Sequence, residues 1–191
     1  MNDPTGLVTP PAALVCRTYL ETIGDLDPDC RGWFLAFTAA RLGHPDLARW
    51  FADTGDAGGW APRWVSGDAT PLSCVATASL GGRPVAVTGG DDGTVRVWDL
   101  ATRAERAVLT GHTGRVVTVA TAVLDGHPVA VTGAHDRTVR VWHLPSGRQH
   151  TPALPFPVLP VPALAATATG DLLVTHGRST TLLTRVDMLR G

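Results

Sequence analysis

From about residue 70 to residue 145 the apolar positions come in short runs of Val, Ala and Leu mixed with Thr and Ser, and Gly, Asp and Pro interrupt them repeatedly. No helical period is sustained there, which is the pattern of half-buried strands joined by tight turns. It predicts strands near 72–79, 84–89, 94–99 and 104–109, then near 115–122, 128–133 and 138–143. Residues 9–55 read differently. Thr9-Pro10, Asp27-Pro28 and His44-Pro45 each place a cap before a proline of a first helical turn, and Gly24, Gly43 and Gly55 stand where those helices would stop. Apolar side chains recur at helical spacing as Val15, Tyr19 and Ile23, then Cys30, Trp33, Phe34 and Phe37, then Leu47, Trp50 and Phe51. Three short amphipathic helices follow, expected to pack on one another or on the first strands. Residues 55–59 read as a hinge, and Trp60 to Val65 as an outer strand for the β region.

The β region repeats itself. Val85-Ala-Val-Thr-Gly-Gly-Asp-Asp-Gly-Thr-Val-Arg-Val-Trp-Asp-Leu100 recurs as Val129-Ala-Val-Thr-Gly-Ala-His-Asp-Arg-Thr-Val-Arg-Val-Trp-His-Leu144, an offset of 44 residues. At the same offset Val75-Ala76-Thr77-Ala78 falls on Val119-Ala120-Thr121-Ala122, and Pro84 falls on Pro128. Four short strands per copy make one small antiparallel sheet. A third, eroded copy is read by laying Leu173-Val174-Thr175 on Ala130-Val131-Thr132 and Thr181-Leu182-Leu183 on Thr138-Val139-Arg140, with Arg185 where the tryptophan would stand. A degenerate last repeat suits a terminal cap.

The period, with Gly111-His112, then Asp136 in a tight turn, then Trp142, resembles the WD-repeat family, and the first copy keeps the Trp98-Asp99 dipeptide intact. The resemblance covers residues 65–153. It implies a mainly β fold, a partial β-propeller of two to three four-stranded antiparallel blades preceded by a small α-helical segment. The expected division is 1–59 helical segment and hinge, then 60–191 propeller, with blade 1 about 60–110, blade 2 about 111–154 and a degenerate half-blade about 155–191. It also implies a buried hydrogen-bonded chain through His112, Thr132, Asp136 and Trp142. In the first copy Thr88, Asp92 and Trp98 match, but Gly67-Asp68 replaces Gly-His, so that blade is expected to be the weaker. Such a chain lets indole, hydroxyl, imidazole and carboxylate satisfy one another. The helical preface weakly resembles segments that precede propellers in multidomain regulatory proteins of GC-rich bacteria.

Catalytic readings of the same residues are poorer. Thr132, His112 and Asp136 have the composition of a hydrolytic triad, yet no G-x-S-x-G elbow is present. Gly89-Gly90-Asp91-Asp92-Gly93 lacks the alternating ligands and terminal Glu of a calcium loop, and a P-loop needs a lysine this chain does not contain. The seven histidines never take metal-binding spacing with partners, so neither metal nor cofactor is expected. The Pro-rich run from Pro155 to Pro162 reads as a stiff connector.

Composition narrows the class further. A net charge of −1 gives no basic field for nucleic acid, no window is long and apolar enough for a membrane helix, and three scattered cysteines suggest a reducing, cytoplasmic compartment. The expected function is therefore a non-catalytic protein-interaction module or scaffold in a regulatory assembly, with Arg96 and Arg140 as candidate partner contacts. The alternatives are a sensor fragment of a split system whose NTPase or protease effector is encoded separately, and, more weakly, a hydrolase. Because propellers close with about four to eight blades, a homo-oligomer completing the ring is a further expectation.

Overall fold

A computed structural model of the chain describes residues 28–53, 62, 70–156, 163–167, 171–176 and 178–184. The first expected helix, the hinge, Trp60 to Val65, Gly67-Asp68 and Arg185 lie outside the described residues. The chain divides into two compact units after Asp68, one holding the helices and the other the strands.

In the first unit α1 (Pro28–Arg41) and α2 (Pro45–Asp53) coincide with the second and third expected helices. Gly43, at φ 82°, ends α1 in a Schellman turn: the His44 amide donates to the Ala39 carbonyl at 2.9 Å and the Gly43 amide to Ala40 at 3.1 Å. The helices meet through Ala36, Ala39, Ala40, Ala48, Phe51 and Ala52, with Leu35 and Leu47 at the margin. This corrects the expected apolar stripe, because Phe37 and Trp50 are 43% and 53% exposed. Alanines allow the backbones to approach closely, so the small-residue face wins the crossing and the two aromatic side chains are left outside. No helix among the described residues is long and apolar enough to cross a membrane.

In the second unit the described strands form three antiparallel sheets. Blade 1 is β1 (Leu72–Leu80), β2 (Arg83–Gly90), β3 (Val95–Asp99) and β4 (Glu105–Leu109), hydrogen-bonded in that order. Blade 2 is β5 (Val116–Leu124), β6 (His127–Ala134), β7 (Thr138–His143) and β8 (Arg148–Gln149), with β9 (Leu154–Pro155) also on β7. Blade 3 is β10 (Ala163–Ala166), β11 (Leu172–His176) and β12 (Ser179–Leu183). The fold is thus mainly β, a partial propeller. The repeat is reproduced bond by bond: Ala86 pairs with Trp98 and Thr88 with Arg96, as Ala130 pairs with Trp142 and Thr132 with Arg140.

Two apolar seams join the blades. Val85, Val87, Val95, Val97 and Leu109 of blade 1 meet Val119, Ala130 and Trp142 of blade 2. Val129, Val131, Val139 and Val141, on the opposite face of blade 2, meet Leu172 and Val174 of blade 3. Period-2 alternation places the two sets on opposite faces of one sheet. Polar bonds between neighbouring innermost strands reinforce the seams, since the Thr121 hydroxyl donates to the Thr77 carbonyl at 2.7 Å and the Leu164 amide to the Thr118 hydroxyl at 3.1 Å.

Two sequence expectations are corrected here. Leu172 and Val174 face blade 2 while Leu173 is 38% exposed, so Leu173 does not correspond to Ala130, which faces the preceding blade. The third hairpin is shorter, with His176 opposite Ser179, and this shifts the pleat relative to the first two copies. The outer strand of blade 2 is also broken. β8 pairs at Trp142 and His143 and β9 at Thr138 and Val139, with Pro152 between them, so Pro155 belongs with Leu154 to this sheet rather than to the connector.

The β2–β3 and β6–β7 turns place Gly93 and Arg137 at equivalent left-handed positions, φ 79° and 62°. A side chain fits at 137 but not at 93, where a Cβ would lie 2.8 Å from the His112 carbonyl oxygen. Gly93→Ala is expected to cost about 2–3 kcal/mol, from left-handed strain and the displaced loop together. Urea unfolding beside the wild type measures it.

Candidate functional site

The most polar buried locus lies in blade 2, where four segments converge. Thr132 on β6 and Trp142 on β7 are 0% and 2% exposed, His112 sits in the β4–β5 loop and Asp136 in the β6–β7 turn. The Trp142 indole N–H donates to the Thr132 hydroxyl oxygen at 2.8 Å. His112 Nε2 lies 2.8 Å from the same hydroxyl, and His112 Nδ1 lies 2.8 Å from Asp136 Oδ2. With Nδ1 carrying the proton toward the carboxylate, Nε2 accepts the Thr132 O–H, and every donor meets an acceptor.

Asp136 is the most heavily bonded member. Its Oδ2 also accepts the Thr113 amide at 3.0 Å, and its Oδ1 accepts the Thr138 amide at 3.0 Å and the Thr138 hydroxyl at 2.7 Å. Burial works to raise its pKa, but the bonds from Thr138, His112 and Thr113 outweigh that and hold the carboxyl below its ordinary value. Burial pushes the His112 imidazole below the usual histidine value, against the opposing pull of Asp136. The pair is therefore a neutral imidazole on a carboxylate near neutral pH.

Acid should undo this arrangement. His112 binds its proton more weakly folded than unfolded, so stability is full above about pH 6.5 and is lost as pH falls below it. Asp136 adds a further loss beginning near about pH 4. The melting temperature is expected to drop as pH falls from about 6.5 toward the carboxyl range, and His112→Gln to remove most of that drop. A melting temperature constant over this interval would contradict the assignment.

The first copy repeats part of the site. The Trp98 indole donates to Thr88 Oγ1 at 3.0 Å, and Asp92 Oδ1 accepts the Thr94 amide at 2.9 Å and hydroxyl at 2.7 Å. Asp92 Oδ2, whose counterpart receives His112, instead faces Arg96 at 3.5 Å. In this copy Thr88 pairs with Trp98 and Asp92 with Thr94. Thr94 and Thr138 are site residues that sequence reasoning missed, although an Asp-x-Thr step at the same repeat position in both copies signals them.

The two candidate contact arginines are engaged in their own sheets. Arg96 Nη1 lies 2.8 Å from Glu105, and Arg140 Nη1 donates to Gln149 at 2.6 Å. Glu105 and Gln149 are themselves 44 residues apart, so this cross-strand pair is part of the repeat. As for attack on a substrate, the Thr132 hydroxyl has no exposed surface and already holds Trp142 and His112. No group of three or more His, Cys, Asp or Glu side chains is placed to hold a metal ion among the described residues.

The description WD domain, G-beta repeat fits residues 64–99 and 104–143, the two stretches that hold the 44-residue repeat. Among solved structures, the crystal structure of the WD40 beta propeller domain of Doa1 is similar, with 18% sequence identity and a TM-score of 0.49. The likeness covers 64% of this chain and 41% of that one, so the chain spans less than half the length of this structural relative. No curated protein matches the chain.

Proposed function

We propose that the chain is a non-catalytic protein–protein interaction module that acts as a scaffold in a regulatory assembly in the cytoplasm. Its chemically capable side chains in blade 2 are buried and bonded to one another, whereas large apolar side chains stand exposed on the blades, Val75 at 66% and Leu182 at 56%. That contrast carries the reading, because exposed apolar faces on a braced frame suit partner binding and buried hydroxyls do not suit turnover. The propeller segment, about residues 60–191, supplies the faces, and residues 1–59 form a helical accessory segment. Proteins are its partners, a second copy of the chain among them.

Tagged wild-type chain and a Val75→Arg, Leu182→Arg double variant, both captured from native lysate, provide the test. The reading expects a stoichiometric protein on the wild type that the double variant loses. Failure to recover any protein at any ionic strength would contradict it. The exposed Phe37, Leu42 and Trp50 favour a second reading, in which a separately encoded effector docks on the helices of a split regulatory system. Trp50→Ser would then abolish that partner's binding while leaving blade-face binding intact.

A further inference from the structure

The blade faces at the two ends of the described array differ in kind, and each matches a face that is already covered inside it. On blade 1, the residues facing blade 2 include Cys74, Ala76 and Ala78 of β1, so Val75 and Thr77 lie on the opposite face. Val75 is 66% exposed, whereas its repeat equivalent Val119 is 9% exposed because blade 1 covers it. Thr77 is exposed as well, and its equivalent Thr121 donates its hydroxyl to the preceding innermost strand at the Thr77 carbonyl. Blade 1 therefore carries, unburied, both the apolar contact and the hydroxyl donor with which blade 2 receives a preceding blade.

Blade 3 offers the other half. Leu164, Ala166, Leu172, Val174 and Leu183 face blade 2, which turns Ala163, Ala165, Leu173 and Leu182 outward. Leu173 and Leu182, at 38% and 56% exposed, are cross-strand partners, and with the two alanines they form an aliphatic surface on a short-strand sheet. Blade 1 presents the corresponding kind of surface to blade 2 with Val85, Val87, Val95 and Val97.

We propose that the outward face of blade 3 in one copy packs on the Val75 and Thr77 face of blade 1 in a second copy, and reciprocally, closing a ring of two chains. This rests on the protein-binding reading above and names its partner. The contact is head-to-tail, so two different surfaces of each chain are used and two identical interfaces form about one twofold axis. Arithmetic on the three sheets of the described residues selects the number of chains: two copies make six, within the about four to eight at which propellers close, whereas three copies would exceed that range. The Thr77 hydroxyl of each copy then donates to an innermost-strand carbonyl of β10 in the other.

Light scattering on the full-length chain after size exclusion tests the ring, alone and with Val75→Arg or Leu182→Arg, circular dichroism confirming that each variant is folded. The wild type is expected at twice 20.0 kDa. Each variant alone is expected at half the wild-type mass, since each places an arginine in both interfaces. An equimolar mixture of the two variants regains association, because one interface of the mixed pair is then free of either substitution. If Val75→Arg is unfolded, Thr77→Arg carries the same prediction. A monomeric wild type, a mass other than that of the dimer, or a dimer disrupted by only one of the substitutions overturns the proposal. A monomer that still captures another protein from lysate overturns self-assembly alone and leaves the protein-binding reading standing.

Discussion

Asp136→Ala is expected to lower the unfolding free energy by about 3–5 kcal/mol, the range for removing one partner of a buried, charge-assisted pair. Four donors converge on this carboxylate: His112 Nδ1, the Thr113 and Thr138 amides and the Thr138 hydroxyl. Its side chain is 7% exposed, so water cannot readily replace them. Asp92→Ala makes the comparison internal. Asp92 accepts the two Thr94 groups and a longer contact from Arg96, and its side chain is 31% exposed. A cost of about 1 kcal/mol is expected there. Urea unfolding of the two variants should therefore give clearly unequal losses, and equal losses would mean that His112 adds nothing to the second turn.

Trp142→Ala is expected to cost about 4–5 kcal/mol, near the top of the range for buried aromatic truncation. Trp142 is 2% exposed in the seam between blades 1 and 2, and its loss opens a cavity there while leaving the Thr132 hydroxyl without its donor. Trp98→Ala removes the same group from the equivalent bond to Thr88, but from a half-buried position, and about 2 kcal/mol is expected. Trp142→Phe separates the two contributions, keeping most of the packing and deleting the N–H, for a loss of about 1–2 kcal/mol. Calorimetric melting of the three variants measures the series.

The unequal costs follow from which parts of each repeat are filled. Blade 2 has His112, Thr132, Asp136 and Trp142 in one chain of bonds and is covered on both faces, by blade 1 and by blade 3. Blade 1 keeps the Thr88–Trp98 pair and the Asp92 turn but exposes Val75 and Val108. The continuous hydrogen-bonded chain thus lies in blade 2, whereas exposed apolar side chains occur on all three blades.

What the sequence disclosed was whatever is local and repeated. The strand ends in the first two copies came within a residue or two of those observed, because Val and Thr alternation and Gly, Asp punctuation are short-range signals that a 44-residue period states twice. The four residues that meet at Thr132 were named through the family resemblance, since nothing local says that residue 112 reaches residue 136. The third sheet was misread by one residue in its pleat because its hairpin is shorter than the template, and one residue reverses every side chain. The split of the blade 2 outer strand around Pro152 was missed for a related reason: β8 and β9 are each two residues long and have no periodicity to detect. On the helices, Phe37 and Trp50 dominate the hydrophobic pattern, while the contact is made mostly by alanines, which carry little weight in such a pattern. Thr94 and Thr138 were within reach, because the Asp-x-Thr step recurs at the period, but they carry no chemistry that would single them out.

Amide hydrogen exchange of the unmodified chain, resolved strand by strand, tests the central claim that blade 2 is the braced centre and the outer blades are the exposed faces. Protection is expected to be highest in β6 and β7, lower in β2 and β3, and lowest in β10 to β12. Equal protection across the three sheets, or blade 1 more protected than blade 2, would contradict it.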